Sequence, residues 1–337
     1  MEESLLEHLA CPDCAQPLQL KAPRTVAGRI DRGLLGCGAC HRSWPIEDGV
    51  PNFVAGGDVP DVIQTTSGFA RNWDAFNDVI LDNEELNDEL FRDWITPFQP
   101  EGFRGKLVVE PGCGMGRWLR IAHRYGPRTL IGVDYSEVAY TAARNLRDLP
   151  DVHVIRADVL RLPLRRTVES IYCLGVVHHT PDPARTFGAL VDVLAPGGTI
   201  NCWVYGAEGN EWITRFVDPL RLRVTSRLPH GVLCAISQGL ALVLYGAAAV
   251  ASKARWMPYG DYLRYLRRYP FRYMSHIVYD HLVPRIAHYI PRHELEAWVA
   301  SHALVAQITP RNGNSWRLLA ARAAEGAQAG AVGRTGT

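Results

Sequence analysis

Short apolar runs alternate with longer mixed segments through the middle of the chain. One run, VVEPGCGMGRW (108–118), ends in an acid and then has glycine at every second position. Similar runs follow in RTLIGVDYS (128–136), VHVIRADVLRLPL (152–164), SIYCLGVVHH (170–179) and, near the end, ALVAQITPRNGNSWRLLAAR (303–322). Apolar runs of this length, separated by helical segments, predict an α/β protein in which strands alternate with helices.

A long segment, about 207–300, separates the fifth predicted strand from the last two. Within it, residues 228–252 are 25 positions without Lys, Arg, Asp or Glu, which is long enough to span a bilayer. Pro229, His230, Ser237 and Gln238 interrupt the stretch, and the last strands must rejoin the sheet. We therefore expect a helical lid or a buried pocket wall, and peripheral membrane contact through 228–252 is the alternative.

Composition narrows the class of protein. The 337 residues suit two or three structural units, and 47% hydrophobic with 21% charged residues is typical of a globular chain. A net charge of +1 gives no overall attraction to nucleic acid. The acidic start, MEESLLEHLACPDC, lacks a secretory signal, so a cytoplasmic location is expected. The small and polar tail, 325–337, is expected to be disordered.

Four of the eight cysteines form two CxxC pairs, Cys11 with Cys14 and Cys37 with Cys40. A two-residue gap lets both thiolates of a pair face one ion, and two such pairs complete the tetrahedral shell that structural zinc prefers. Four cysteine ligands leave no open coordination position. The sequence therefore predicts a Zn²⁺ ion that stabilises the fold and takes no part in catalysis.

The N-terminal region resembles a known zinc-ribbon family. LLEHLACPDCAQPL and GCGACHRSWPIEDGVPNFV are similar to the family that includes the activator subunit of transfer-RNA methyltransferases. Its aromatic-Pro-Ile-x-Asp-Gly-x-Pro ending is present as Trp44, Pro45, Ile46, Asp48, Gly49 and Pro51. The resemblance implies a zinc-ribbon domain over 1–57 and a partnership with a methyltransferase.

The glycine loop distinguishes two kinds of cofactor. A dinucleotide motif needs G-x-G-x-x-G, but after Gly112 and Gly114 the third glycine comes early, at Gly116. The carboxylate of Glu110 would repel a pyrophosphate, whereas it could receive the amino group of an amino-acid portion. This E-x-G-x-G-x-G pattern resembles motif I of class I S-adenosylmethionine-dependent methyltransferases.

The next segments agree with that resemblance. Asp134 ends the second predicted strand, where an acid can hold both ribose hydroxyls. Asp158 follows the third strand, where the family has the acid that meets the adenine amino group. Tyr135 and Val159 adjoin these acids and are assigned to the same cofactor site. The resemblance implies a doubly wound, Rossmann-like seven-stranded sheet over 68–324, with a helical insertion after strand five.

Candidates for catalysis follow the fourth and fifth predicted strands. An acceptor that must lose a proton needs a base, and His178 and His179 come after strand four, at the carboxyl end where an acceptor would bind. Alternatively, the HHTPDP segment (178–183) only shapes the turn before the next helix. Tyr205 and Glu208, after strand five, are further candidates at the same edge of the sheet.

Arginine and tyrosine alternate in YGDYLRYLRRYPFRYM (259–274). Such alternation suits phosphate binding and stacking, although a solvated basic helix face has the same pattern. With the apolar stretch before it, the segment indicates a pocket for a molecule with an apolar body and an anionic head, which could recruit Mg²⁺. The candidate substrate-binding residues are Trp73, Arg264, Tyr265, Arg268 and Tyr273.

The sequence predicts one favoured function and leaves two alternatives. The favoured one is S-adenosylmethionine-dependent methylation of a small, partly apolar and anionic molecule, such as an isoprenoid phosphate, a lipid-like compound or a natural-product intermediate. Similarity of the region 279–299 to small-molecule methyltransferases of the quinone-biosynthesis type agrees with it. The first alternative is methylation of ribosomal or transfer RNA. The second is a catalytically inactive binding or scaffold protein. The oligomeric state is not predicted.

Overall fold

The structure, a computed structural model, describes residues 1–54, 60–251 and 266–324. Arg264, Tyr265 and the tail at 325–337 lie outside the described residues. Two sheets are present, one of four strands at the N-terminus and one of seven strands. The predicted α/β class, with an N-terminal ribbon and a seven-stranded sheet, is confirmed.

The N-terminal ribbon begins with a 3₁₀ helix at Glu3–His8 and continues as an antiparallel meander. Its four strands, paired in sequence order, are β1 (Leu18–Val26), β2 (Arg29–Cys37), β3 (Ser43–Glu47) and β4 (Val50–Pro51). The side chains of Leu35, Trp44 and Ile46 are buried on one face of the meander, as alternation along β-strands requires.

The large sheet is mixed. Its strands are β5 (Leu107–Pro111), β6 (Thr129–Asp134), β7 (Val152–Arg156), β8 (Val168–Leu174), β9 (Leu194–Tyr205), β10 (Val305–Arg311) and β11 (Ser315–Ala321). The order across the sheet is β10-β11-β9-β8-β5-β6-β7. β5 to β9 pair in parallel, whereas β11 is antiparallel to β9 and to β10. The carboxyl ends of the parallel strands therefore lie at one edge, which is where ligands bind in such sheets.

Helices cover both faces of the sheet and form the insertion. In chain order they are α1 (Pro60–Ala75), α2 (Asn77–Leu81), α3 (Glu84–Ile95), α4 (Arg117–His123), α5 (Val138–Asn145), α6 (Pro183–Asp192), α7 (Asp218–Arg223), α8 (His230–Ala251), α9 (Phe271–Leu282) and α10 (Arg292–Ser301). Short 3₁₀ turns occur at Pro100–Phe103, Val159–Arg161, Val177–His179 and Thr225–Arg227, and a π-helical turn at Ile213–Val217.

Consecutive residues of the central strands face opposite sides of the sheet. Val108 packs with Phe91 and Leu119 in one buried cluster, on the side of α3 and α4. Val109 packs in another cluster, which contains Phe187 of α6 together with Leu5, Leu9 and Trp44 of the ribbon. The ribbon therefore shares a hydrophobic core with one face of the sheet.

Backbone contacts also join the ribbon to the edge strand β7. The amide of Phe53 donates to the carbonyl of Arg156 at 2.8 Å, which extends the sheet by a short parallel bridge. The amide of Ala10 donates to the carbonyl of Pro163 at 3.0 Å, and Asp13 is ion-paired with Arg161. These contacts anchor the ribbon to the segment that follows β7.

The uncharged stretch forms α8, which packs on α9 through a narrow stripe that includes the buried Leu233, Ser237 and Ala241. The span His230–Val250 is long and apolar enough to cross a membrane, and only 22% of its most apolar window is buried. Its exposed apolar side chains are Val232, Leu240, Leu242, Val243, Tyr245 and Val250. A helix that is apolar on all sides is normally buried, whereas most of the surface of α8 is exposed.

Candidate active site

A cavity of about 340 Å³ opens at the carboxyl edge of the sheet. One wall includes the loops after β5, β6, β7 and β8, and another includes side chains from α1 and α9. Residues of α3, α4, β9, β10 and β11 also contribute to the lining. No described residue of α8 lines it. The expectation that this stretch forms a lid or a pocket wall is therefore wrong for the described part of α8, because its buried stripe faces α9.

The glycine loop has the conformation that the sequence predicted for a close ligand approach. Gly112 has φ +72°, and an added Cβ would lie 2.3 Å from a methyl group of Val176. Gly114 has φ +54°, and an added Cβ would lie 3.4 Å from the indole of Trp73. Both glycines line the cavity. Gly116 does not, because it begins α4 at φ +88° and packs against Leu146, so its lack of a side chain serves helix packing.

Two acids after β6 and β7 face the same cavity, together with Tyr135 and Val159. Asp134 accepts hydrogen bonds from the amides of Gly114 and Ser136, each at 2.9 Å. Burial raises the pKa of the Asp134 carboxyl, whereas the hydrogen bonds from Ser136 and Gly114 lower it. Asp158 accepts from the amide of Leu160 at 2.9 Å. Both acids are thus held by backbone N–H groups at their strand ends.

Glu110 is placed differently from the prediction. Its side chain lies within the core beneath the loop, 1% exposed, and does not line the cavity. The hydroxyl of Tyr172 donates to it at 3.1 Å, and burial raises its pKa well above the usual value. It lies on the same face of β5 as Val108, as strand alternation requires. The cavity lining therefore does not include Glu110, and its contact with an amino group stays a prediction.

A buried cation lies beside the glycine loop. Arg117, 9% exposed, lines the cavity and donates to the hydroxyl of Tyr273 at 2.6 Å. Its guanidinium also lies over the ring of Trp118, 3.7 Å from the ring centroid. Its Nε has no hydrogen-bond partner, and among the described residues no carboxylate forms an ion pair with it. This cation can therefore accept an anionic group of a ligand.

The two neighbouring histidines have different environments. His178 is fully buried, does not line the cavity, and packs against Tyr205 with ring centroids 4.0 Å apart and planes tilted by 33°. His179 lines the cavity, and its Nδ1 lies 2.7 Å from the carbonyl oxygen of Ile286. Nδ1 must therefore donate, which leaves Nε2 as the acceptor. Burial lowers the pKa of His179 to about 3, so this ring is neutral at physiological pH.

Of the two candidates after β9, only one reaches the cavity. Tyr205 lines it and stacks with Tyr289, with ring centroids 5.8 Å apart. Glu208 lies outside it, and its carboxylate accepts from the amide of Arg292 and from the indole of Trp316, each at 3.0 Å. It thereby caps the start of α10. The assignment of Glu208 to catalysis is corrected to this capping position.

Aromatic side chains form most of the wall opposite the glycine loop. Trp73, as predicted for a substrate-binding residue, lines the cavity, and so does Tyr273. The other aromatic residues of the cavity lining are Phe69, Trp94, Trp118, Tyr135, Trp203, Tyr205, Tyr269 and Tyr289. Arg268, in contrast, is ion-paired with Glu89 at the surface and does not line the cavity. Its expected substrate contact is therefore not formed.

A polar cluster that the predictions missed interrupts the aromatic wall. His276 and Asp280, one helical turn apart on α9, both line the cavity. The amide nitrogen of Asn72, from α1, lies 2.9 Å from His276 Nδ1 and 2.6 Å from Asp280 Oδ1. His276 Nε2 lies 3.3 Å from Asp280 Oδ2. The i, i+4 spacing of His and Asp in SHIVYD (275–280) was a usable signal for a shared helix face.

The four N-terminal cysteines form a group suited to a metal. Their sulfur atoms all lie within 4.8 Å of one another. The two pairs have equivalent backbones, since Ala15 and His41, the residues after each second cysteine, have φ +58° and +59°. Among the described residues this is the one cluster of His, Cys, Asp or Glu arranged for an ion. It fits a tetrahedral Zn²⁺, while the expected Mg²⁺ gains no support.

Two families match parts of the chain. Residues 109–202 match a family described as "Methyltransferase domain", and residues 2–49 match one described as "Trm112p-like protein". The first range contains the strands β6 to β8 and the glycine loop, and the second contains the cysteine cluster. The first match thus covers the central part of the sheet, and the second covers most of the ribbon.

Curated relatives are similar over part of their length. An uncharacterized chloroplastic methyltransferase of Arabidopsis thaliana is 24% identical over 61% of this chain and 64% of its own. A tRNA U34 carboxymethyltransferase of Desulfotalea psychrophila is 25% identical over 36% and 39%. A ubiquinone biosynthesis O-methyltransferase of Aromatoleum aromaticum is 28% identical over 47% and 71%. The chain spans less than two thirds of the first two relatives.

Solved structures show only distant similarity. The SAH-bound magnesium protoporphyrin IX methyltransferase of Synechocystis is 12% identical, with a TM-score of 0.46 over 78% of this chain and 98% of its own. A complex that contains the Trm112 methyltransferase activator of Haloferax volcanii is 14% identical, with a TM-score of 0.44 over 76% and 97%. These values are too low to support a conclusion about function.

Proposed function

We propose that this chain, which contains a methyltransferase domain and an N-terminal Trm112p-like domain, methylates a small, partly apolar molecule with S-adenosylmethionine. The observation that carries the proposal is the cavity itself, in which the glycine loop and the acids after β6 and β7 face an aromatic wall. Concave, mainly apolar sites with few polar groups are typical of small-molecule binding.

The residues at the strand ends fit the cofactor. The bare backbone at Gly112 and Gly114 permits close approach, Asp134 can accept from ribose hydroxyls, and Asp158 with Val159 borders the adenine end. When bound, the cofactor supplies an electrophilic methyl group. The aromatic wall would then exclude water and align the acceptor, which supplies much of the acceleration in a displacement that needs no metal.

The buried cation beside the glycine loop supports an anionic group on one of the ligands. Arg117 is buried beside Gly114 and has an Nε without a partner. It can take the carboxylate of the cofactor's amino-acid portion or an anionic head of the acceptor. The arginine that the sequence offered for this role and that the structure describes, Arg268, is paired elsewhere. An isoprenoid phosphate or an acidic natural-product intermediate remains the proposed substrate class.

We further propose that the exposed apolar surface near the cavity binds an anionic membrane surface. Ile213 lines the cavity, and the adjacent Trp212 and Phe216 are 55% and 66% exposed. The same segment of the chain also carries three exposed arginines, Arg215, Arg223 and Arg227. Apolar and aromatic side chains interleaved with basic ones are typical of peripheral membrane contact, at which a lipid-like acceptor would enter.

Cosedimentation with vesicles of phosphatidylglycerol and phosphatidylcholine tests this contact. We expect binding by the native protein and its loss in a Trp212→Ser, Phe216→Ser double variant. Absence of binding by the native protein, or a stable dimer that covers this surface in solution, would contradict it. The cytoplasmic location stays a prediction.

Transfer-RNA methylation is the second candidate. The match to the Trm112p-like family and the similarity to a tRNA carboxymethyltransferase favour it. The net charge of +1 opposes it, because phosphate contacts dominate nucleic-acid affinity. Retention of tRNA that weakens steeply with salt would support this candidate over the small-molecule one. The inactive scaffold is opposed by Gly112, Gly114, Asp134 and Asp158, all of which line the cavity.

Thermal unfolding of the zinc-replete protein with S-adenosylhomocysteine is the decisive experiment. We expect stabilisation by the cofactor product, and a further rise with geranyl diphosphate or a fatty acyl compound but not with short RNA. Asp134→Asn should weaken binding about 100-fold, because two charge-assisted hydrogen bonds are lost. Asp192→Asn, an exposed acid at the end of α6, is the control. No shift with S-adenosylhomocysteine would overturn the proposed function.

A further inference from the structure

The contacts of Asn72 determine the protonation of its two partners. One amide hydrogen can reach His276 Nδ1 and the other Asp280 Oδ1, at 2.9 and 2.6 Å. An Nδ1 that accepts leaves the proton on Nε2. The protonated Nε2 of His276 lies 3.3 Å from Asp280 Oδ2, a close contact without hydrogen-bond geometry. Asn72 is thus the side-chain donor to Asp280, and it holds His276 and Asp280 side by side on one face of α9.

The carboxylate remains accessible from one side. Asp280 keeps 24% of its side-chain exposure, and it lines the cavity, whereas His276 keeps 2%. The neighbouring wall is aromatic, with Trp73 4.7 Å from His276 between ring centroids. Arg117 on α4 is the charged group of another element that acts on Asp280, while α1 contributes the neutral Asn72. The accessible side of this carboxylate can therefore accept from a ligand that carries a donor.

We propose that Asp280, which accepts from Asn72 and lies beside His276, is the base that removes the proton from an acceptor hydroxyl during methyl transfer. The inference rests on the proposed function and names its acceptor class, an alcohol or phenol with an apolar body. The hydroxyl oxygen forms a bond to the methyl carbon, the electrons of the carbon–sulfur bond remain on sulfur, and the hydroxyl proton passes to the Asp280 carboxylate. A neutral ether and a neutral thioether result.

The candidate that the sequence offered is less suited to this step. Burial raises the pKa of Asp280 to about 7, against the opposing effects of Asn72 and Arg117. Burial lowers the pKa of His179 to about 3. A general base is most effective when its pKa lies near the working pH. His179 can still orient the hydroxyl as a hydrogen-bond acceptor, but it holds a transferred proton poorly.

Two measurements on the full chain test the proposal. The first follows carboxyl titration by infrared difference spectroscopy of the S-adenosylhomocysteine complex, native protein against Asp280→Asn. The second follows methyl transfer to 4-nitrocatechol and to geraniol as a function of pH. Asp78→Asn, an exposed acid that pairs with Arg272 of α9, is the matched control. Unfolding temperature and S-adenosylhomocysteine affinity verify that each variant is folded.

We expect a carboxyl that titrates near pH 7 in the native protein and is missing in Asp280→Asn, which should lose at least 100-fold in rate. Asn72→Ala should move the acidic limb of the rate profile to higher pH, because a donor to the carboxylate is removed. A purely structural cluster would leave the limb in place. Three results would overturn the proposal. They are the absence of a carboxyl that titrates near pH 7, an unchanged rate in Asp280→Asn, and a native protein that binds S-adenosylhomocysteine but methylates neither probe. Failure to bind S-adenosylhomocysteine overturns the proposed function instead.

Discussion

The two walls of the cavity are built in different ways. On the cofactor side, the acids are fixed by backbone N–H groups of strand ends and loops, as Asp134 is by Ser136 and Gly114 and Asp158 is by Leu160. On the acceptor side, the contacts join distant elements. Asn72 and Asp280 are 208 residues apart, and Arg117 and Tyr273 are 156 apart. The first wall follows from strand ends, and the second exists only after α1 and α9 have packed together.

The ribbon contacts the segment that follows the cofactor acid Asp158. Its Ala10 and Asp13 contact Pro163 and Arg161, directly after Asp158. No described ribbon residue lines the cavity. The cofactor wall should therefore depend on the zinc site, whereas the acceptor wall should not.

Removal of Zn²⁺ should have the largest effect, and it should change the cofactor wall but not the acceptor wall. Structural Zn²⁺ contributes on the order of 10 kcal/mol to the folding of small ribbons. We expect a chelator, or Cys14→Ser with Cys40→Ser, to make residues 1–54 sensitive to proteolysis and to lower the unfolding temperature. Affinity for S-adenosylhomocysteine, measured by calorimetry, should fall about tenfold as the support of the Asp158 segment is lost, a change of about 1.4 kcal/mol.

Cys234→Ser is the control for this prediction, because Cys234 is half-buried and lies on α8, outside the cluster. Unchanged affinity for S-adenosylhomocysteine in a protein shown by elemental analysis to be free of zinc would contradict the dependence of the cofactor wall on the ribbon.

The pH dependence of the free energy of unfolding tests the environment of Asp280 in the acceptor wall. The pKa of Asp280 is raised to about 7 from an unfolded value of 3.8. A raised pKa means that the folded state binds the proton more tightly, so this contribution to stability is present below pH 3.8 and is lost as pH rises to about 7. At about 1.4 kcal/mol for each pH unit, the loss approaches 4 kcal/mol at most.

Chemical denaturation at pH 4 and pH 7 measures this loss. The native protein should lose stability relative to Asp280→Asn between these values, because the variant has no proton to release. Asp78→Asn should show no such difference, since its carboxyl is exposed and its pKa is lowered by Arg272. A native protein that follows the same pH profile as Asp280→Asn would show that the acceptor wall does not hold a destabilised carboxylate.

The contrast between the walls also explains what the sequence could predict. Strand alternation and the spacing of Gly112, Asp134 and Asp158 identify the fold and most of the cofactor wall, because these features depend on backbone geometry within one strand or loop. The same reasoning assigned Glu110 to the ligand, since the sequence does not indicate that Tyr172 covers it.

The sequence predicted only part of the acceptor wall. Trp73 and Tyr273 were predicted, but Asn72, His276 and Asp280 were not, because their function depends on how two helices pack across the chain. The arginine and tyrosine alternation likewise could not distinguish the inward Tyr273 from the outward Arg268. A periodic pattern gives the faces of a helix, and only tertiary packing decides which face meets the cavity.

The smallest expected effect tests the difference between the inward Tyr273 and the outward Arg268. Arg268→Ala removes an exposed ion pair with Glu89, which should cost no more than about 0.5 kcal/mol. Tyr273→Phe removes a buried hydroxyl that accepts from Arg117 and donates to Asn87, and leaves the Arg117 cation short of a partner. We expect it to cost about 2 kcal/mol in denaturant titrations and to weaken S-adenosylhomocysteine binding. An Arg268→Ala variant that is as destabilised as Tyr273→Phe, or that binds the cofactor product less well, would show that both residues belong to the acceptor wall.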